Sequence, residues 1–319
     1  FYHYSHFMDY ALVTGELCER SFDDCGTEGR SSEICTQVKS ACDNALQQES
    51  KAAEPVEASS TSSLSFSKGT SLRSYITSLV NREDFAANTR LREAMLDNIR
   101  YMFKHIPVES SFGEALDAKV RGLYGEAGVR LRSSTNSEDL SDFNGAGLYK
   151  SVKATTREKD LPSDEIRKVW ASVWSFKVFE ERSLWNIDHF SVQMAVAVHE
   201  SYPDEVANGV IITQNIADYS VAGIYANIQV GETSVTNPEG GELPEIISII
   251  PSPPPQRGVQ SVLLQHSTLC PDSLILNSGE IYVLYRTVKL IQDHFASLYK
   301  KNADAPALGS GFQGTGGGG

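Results

Sequence analysis

Four cysteines near the start of this 319-residue chain constrain its fold more than any other feature. Cys18, Cys25, Cys35 and Cys42 are separated by six, nine and six residues. A seven-residue step returns a side chain to the same helix face two turns on. Two such helices, joined by the turn-forming GTEGRSS, would make an antiparallel hairpin. Cys25 would then face Cys35 near the loop, and Cys18 would face Cys42 farther down. Two alternatives stay open. Zinc is one, although its ligand pairs usually stand about two to four residues apart, and plain buried thiols are the other. Cys270 is left over and reads as a free thiol.

Composition narrows the function. Hydrophobic residues make up 40% and charged residues 22%, the balance of an ordinary globular protein with a sizeable core. A formal charge of −13 argues against nucleic acid and against an anionic membrane surface, since both recruit Lys/Arg patches. No apolar run approaches the ~20 residues that cross a bilayer, so no membrane insertion is expected. The chain starts at Phe1 with no signal-like segment behind it, and reads as a processed form or a fragment.

Along the chain, residues 1–50 read as the cysteine-rich helical hairpin. Residues 51–70 are rich in Ser, Ala, Glu and Pro and read as a linker. Residues 71–105 regain a helical period, read as two helices. An alternating strand begins after Gly128 and breaks into a polar loop. Pro162-Ser163 then opens a helix expected to run to about Trp185, with Trp170, Trp174 and Trp185 in the core. Strands are expected at Ser191–His199, Gly209–Thr213 and Gly223–Val230, with Asn208-Gly209 as a turn. The stretches 236–244 and 251–255 are turn-rich. A last helix is expected from about Ser278 to Lys301, with Ile281, Leu284, Tyr285, Val288, Ile291, Phe295 and Leu298 on its inward stripe. The 302–319 tail is Gly-rich and expected to be disordered.

The chemistry concentrates in Arg130-Leu131-Arg132-Ser133-Ser134-Thr135-Asn136-Ser137-Glu138-Asp139-Leu140, followed by Asn144-Gly145-Ala146-Gly147. It offers guanidinium groups, hydroxyls, carboxylates and a flexible glycine loop. Arginine binds phosphate oxygens bidentately, hydroxyls and loop N–H groups complete such sites, and carboxylates hold Mg²⁺. By residue type alone, a polar turn with Arg–Glu pairing on a solvated face is the favoured reading, because such clusters are common. His189 and His199 flank a strand and read as hydrogen-bonded structural residues.

This segment resembles the arginine-serine-serine block of the phosphoenolpyruvate synthase and pyruvate phosphate dikinase family. The resemblance continues in order through KVWASVWSFKVFEERSLWNIDH, VQMAVAVHESYPDEVANGVIITQN and NIQVGETSVTNPEGGELPE, over about residues 75–300. It implies an α/β (α+β) fold of ATP-grasp type, two lobes clamping ATP, in residues 71–301. It implies that Arg132 contacts the phosphates, with Ser133, Glu138, Asn144, Gly145 and Gly147 beside it. The strand from Gln193 would supply backbone contacts to adenine, and Glu232 would sit near the ribose or a Mg²⁺ ion.

Two features that the family uses are not found in the expected places. No glycine-glycine-lysine motif occurs in residues 1–70, and no Asp-x-Glu-Phe pair follows the last helix. The chain therefore reads as a degenerate relative that serves as a structural or assembly subunit beside other protein subunits. The alternative is an ATP-binding phosphotransferase that phosphorylates a histidine on a partner domain. The nested cysteine pairing resembles twin-cysteine hairpins of the mitochondrial intermembrane space and of secreted proteins, and implies an oxidising compartment. Thiols would instead suit the cytoplasm or an organellar matrix.

Overall fold

The computed structural model describes residues 2–52, 69–137, 145, 147–157, 159–202, 204–233, 235, 241–253 and 255–303, with side chains omitted at 48–52 and 299–303. Glu138, Asn144, most of the Ser/Ala-rich linker and the Gly-rich tail lie outside these residues. The chain divides into two compact units, Phe1–Tyr202 and Pro203–Gly319. Together they form a mixed helix-and-sheet fold with small antiparallel sheets.

The first unit opens with α1 (Tyr2–Tyr10), β1 (Leu12–Thr14), α2 (Gly15–Thr27) and α3 (Ser32–Ala52). Thr14 caps α2 by accepting the Leu17 N–H at 3.4 Å. The expected all-helical start is thus interrupted. β1 pairs antiparallel with β2 (Gly69–Ser71), a partner too distant in sequence for local periodicity to reveal. Cys18 stands opposite Cys42 with Cα atoms 6.1 Å apart, and Cys25 opposite Cys35 at 5.8 Å. Both separations are within the span that a disulfide bridges.

Three helices follow where two are expected: α4 (Leu72–Val80), the short α5 (Glu83–Ala87) and α6 (Thr89–His105). The chain restarts at Asn88, whose side chain accepts the N–H groups of Arg90 and Leu91. α6 buries Leu91, Met95, Ile99, Met102 and Phe103 in the unit's core, which also takes in Tyr4 and Phe7 of α1 and Cys18 and Cys42 of the hairpin. Asn98 of α6 donates to Ser21 Oγ at 2.7 Å and accepts from the Tyr75 hydroxyl, so a buried polar link ties α2 to α4 and α6.

α7 (Ser110–Tyr124), absent from the sequence reading, leads into β3 (Val129–Thr135) and β4 (Val152–Ala154). The expected single helix to Trp185 is two helices, α8 (Pro162–Ala171) and α9 (Phe176–Leu184), separated by a 3-10 turn over Ser172–Trp174. Extended backbone at Ser175 (φ −70°, ψ 148°) ends one helical run and starts the next. The break turns Trp174 into the core (0% exposed), whereas Trp185 is 49% exposed and not core as expected. β5 (Met194–Glu200) completes an antiparallel sheet of order β4-β3-β5.

The second unit is an antiparallel meander, β6 (Ala207–Ile212), β7 (Ile224–Val230), β8 (Glu245–Pro251) and β9 (Val259–Gln265), followed by α10 (Ser278–Ala303). Asn208 and Gly209 lie inside β6 and form no turn. A Cβ at Gly209 would stand 2.6 Å from the Asn227 carbonyl oxygen, so the close strand approach requires glycine there. Ile224, Ala226, Ile228, Ile247 and Ile249 pack with Ile281 and Val288 of α10. The expected inward stripe holds only for the first half of α10, because Ile291, Phe295 and Leu298 are exposed. A 26-residue helix is about 39 Å long and a seven-residue strand about 23 Å, so the helix outruns the sheet.

Candidate functional site

β3 carries the Arg-Ser-Ser sequence at the centre of its sheet, and strand pleating sorts its side chains onto two faces. Val129 and Leu131 face inward, into the core that Ile166, Val169 and Trp170 of α8 also enter. Arg130, Arg132 and Ser134 share the opposite face, and Arg132 and Ser134 are exposed. Ser133, the next residue of β3, points to the other face of the sheet. Consecutive strand residues point to opposite faces, and Ser134 is the hydroxyl that shares the face of Arg132.

Register supplies the rest of the open face. Arg130 pairs with Lys153 of β4 on one side and His199 of β5 on the other, while Arg132 lies opposite Ala197 and Ser134 opposite Ala195. Arg130, Arg132 and Lys153 thus share one face of the sheet, beside two alanines of β5.

His199 has a defined role on this face. Its Nδ1 lies 2.7 Å from the Glu200 carbonyl, which can only accept, so the proton sits on Nδ1. Its Nε2 lone pair then accepts from Arg132 Nε at 2.7 Å. The imidazole is neutral in this arrangement. It orients the guanidinium and leaves its charge uncancelled. Sequence reasoning took His199 as a structural residue, and only the strand register reveals its contact with Arg132.

Gln193 precedes β5, and its backbone is engaged by Asn136. Its N–H donates to Asn136 Oδ1 at 2.7 Å, and its carbonyl accepts from the Asn136 N–H at 3.4 Å. Asn136 Nδ2 also donates to the Ser191 carbonyl, so one side chain locks the polar turn to the start of β5. Gly145 and Gly147 come later in the segment, and Gly147 has φ +77°, the left-handed region that favours glycine. Glu232 belongs to the second unit. It follows Gly231 in a turn that Asn208 holds by donating to the Gly231 and Thr233 carbonyls.

The open face suits a polyanion: guanidinium and ammonium groups, an exposed hydroxyl and no burial to overcome. Among the described residues, no three His, Cys, Asp or Glu side chains come together.

His189 is half-buried, its ring stacked on Phe179 with centroids 3.8 Å apart. Burial first, and then the Arg182 cation, lower its pKa from 6.5 to about 4. Above pH 6.5 both folded and unfolded chains carry it neutral, and its contribution is fully present. Between pH 6.5 and 4 the unfolded chain takes up a proton that the folded one refuses, so stability falls with pH. After allowance for its partial exposure the loss is about 1–2 kcal/mol. Thermal melts at pH 7 and pH 4.5 should show a smaller acid-induced drop for His189→Phe than for wild type. Equal drops would remove His189 as a source of acid sensitivity.

The model of the pyruvate phosphate dikinase AMP/ATP-binding domain matches residues 57–239. The phosphoenolpyruvate synthase of Pyrococcus furiosus is 25% identical over 149 residues, 45% of this chain and 18% of that protein. A probable phosphoenolpyruvate synthase of Pyrococcus abyssi is 24% identical over the same length, and the phosphoenolpyruvate synthase of Aeropyrum pernix is 31% identical over 88 residues, 28% of this chain and 10% of that protein. The matched segments span less than a fifth of these relatives. The family match covers more than half of the chain and takes in the whole open face of the β4-β3-β5 sheet. The chain belongs to the family of the pyruvate phosphate dikinase AMP/ATP-binding domain.

Proposed function

We propose that the chain binds the phosphates of ATP on the open face of β3, with Arg132 as the principal contact and Ser134 beside it. One observation carries this reading: the exposed Arg132 is held by a neutral imidazole, so its charge remains available to an anion. Arg130 and Lys153 lie on the same face by strand register. The fold is proposed to be of ATP-grasp type, to which the antiparallel sheet of each unit corresponds. In the whole protein the site would serve phosphoryl transfer to a histidine of a partner domain, in the chemistry of phosphoenolpyruvate and pyruvate.

Isothermal titration with ATP, inorganic tripolyphosphate and adenosine tests the phosphate reading. ATP and tripolyphosphate are expected to bind and adenosine to bind at least about tenfold more weakly, as the loss of charge-assisted bonds implies. Adenosine binding as tightly as ATP would overturn it.

A second reading, a subunit retained for assembly with little catalysis, draws on the cysteine hairpin, which shares the core of the first unit. We propose that Cys18–Cys42 and Cys25–Cys35 are disulfides and that the protein works in an oxidising compartment. Failure of every ligand in the titration would favour this reading.

A further inference from the structure

Within the first unit, α1 and α7 leave an open cleft of about 470 Å³ between them, the volume of a small-molecule site. Helical spacing supplies its two walls. Phe112, Ala115, Leu116 and Lys119 recur at three- and four-residue steps and form one stripe of α7. Tyr2, His3 and His6 line the cleft from α1.

The ring-lined end is held in place without a ligand. Phe112 stacks on His3, with centroids 4.2 Å apart, and on the core residue Trp170 at 6.1 Å. Tyr2 lies parallel to His6 within 8°, with centroids 5.5 Å apart. Tyr10 Oη accepts the Glu109 N–H, and the Glu109 carboxylate lies 3.4 Å from His6 Nε2, which ties the start of α7 to α1. The other end is cationic. Lys119 is exposed and makes no ion pair among the described residues. It stands ten residues beyond Glu109, about 15 Å along the helix axis, so the two charges do not pair.

We propose that this cleft binds a small planar aromatic carboxylate. The ligand's ring lies against Phe112, His3 and Leu116, and its carboxylate meets the Lys119 ammonium. Seven residues of helix separate Phe112 from Lys119, so ring and charge stand no more than about 10 Å apart. A lone ammonium is a point charge that suits a monoanion, and the Glu109 carboxylate at the far end disfavours a polyanion. The cleft thus selects a different ligand from the open face of β3, and its occupancy does not depend on phosphate binding there.

The probe is 2-naphthoate, which is flat, fluorescent and singly charged. Titrated into the full chain, it is expected to bind with Kd about 0.1–1 mM, the range that ligand efficiency sets for a molecule of its size. Lys119→Ala should weaken binding about three- to tenfold, and Lys119→Arg should restore it. His3→Ala removes one aromatic face and should weaken binding about two- to tenfold. Both side chains are exposed, so neither substitution threatens the fold. The neutral isostere 2-naphthylmethanol should bind wild type and Lys119→Ala alike. Tripolyphosphate should not displace the probe, and Arg132→Ala should leave its affinity unchanged. Absence of binding at millimolar 2-naphthoate would overturn the assignment, as would unchanged affinity in either Lys119→Ala or His3→Ala. Displacement by tripolyphosphate would place the probe on β3 and overturn it as well.

Discussion

Arg132→Ala is expected to abolish most of the thermal stabilisation that ATP gives the wild-type chain. A charge-assisted Arg–phosphate contact is worth about 1.5–3 kcal/mol, so its removal weakens binding about 10- to 100-fold. At an ATP concentration about 100 times Kd, the wild-type unit gains about 2.7 kcal/mol, and a 30-fold weaker variant about 0.9 kcal/mol. For a unit of this size each kcal/mol is about 2–4 °C of Tm, so a shift of about 5–10 °C shrinks to about 2–3 °C. Without ATP the exposed Arg132 contributes little, and the substitution should move stability by less than about 1 kcal/mol. The melt therefore separates ligand loss from fold damage. An absent ATP shift in the wild type, with Arg132→Ala costing only stability, would contradict phosphate binding and support an assembly role.

How much of this was legible in the sequence depends on the range of the interactions. The strand at 129–135 and the helix at 278–303 follow from period 2 and period 3.6, which are local. The order of Arg132 and Ser133 along a strand already places them on opposite faces. The family motif draws attention to both, and only pleating says which one faces out. His199 could not be assigned from its neighbours, since its tie to Arg132 depends on β3–β5 register across more than sixty residues. The break at Ser172–Ser175 is hidden because the apolar period runs on through it, and tertiary packing of Trp174 against Tyr4 and Arg182 overrides the local pattern. β8 and β9 escaped for opposite reasons. Glu245–Ile250 is almost continuously apolar and does not alternate, and Val262, Leu263 and Leu264 are exposed on an edge strand that buries no single face.

The hairpin carries the other large effect. Under non-reducing peptide mapping, Cys18 should be recovered with Cys42 and Cys25 with Cys35. Loops closed at sequence separations of 24 and 10 are each worth about 3 kcal/mol by chain entropy. The two loops are nested, so the inner bridge shortens the outer one, and their combined effect falls short of the sum. Even so, a loss of about 4–5 kcal/mol is a large share of the 5–15 kcal/mol that a domain typically holds. Reduction should not act on the hairpin alone. Cys18 and Cys42 lie in the same core as α6, and Asn98 of α6 is bonded to Ser21 on the turn after Cys18. Adding reductant should therefore lower the Tm of the whole first unit, and the buried Cys18–Cys42 pair should resist longer than Cys25–Cys35 beside the loop. Recovery of all four residues as free thiols, or of a Cys18–Cys25 pairing, would refute the assignment. A reduced protein that melts at the wild-type temperature would show that the bridges contribute nothing to the fold.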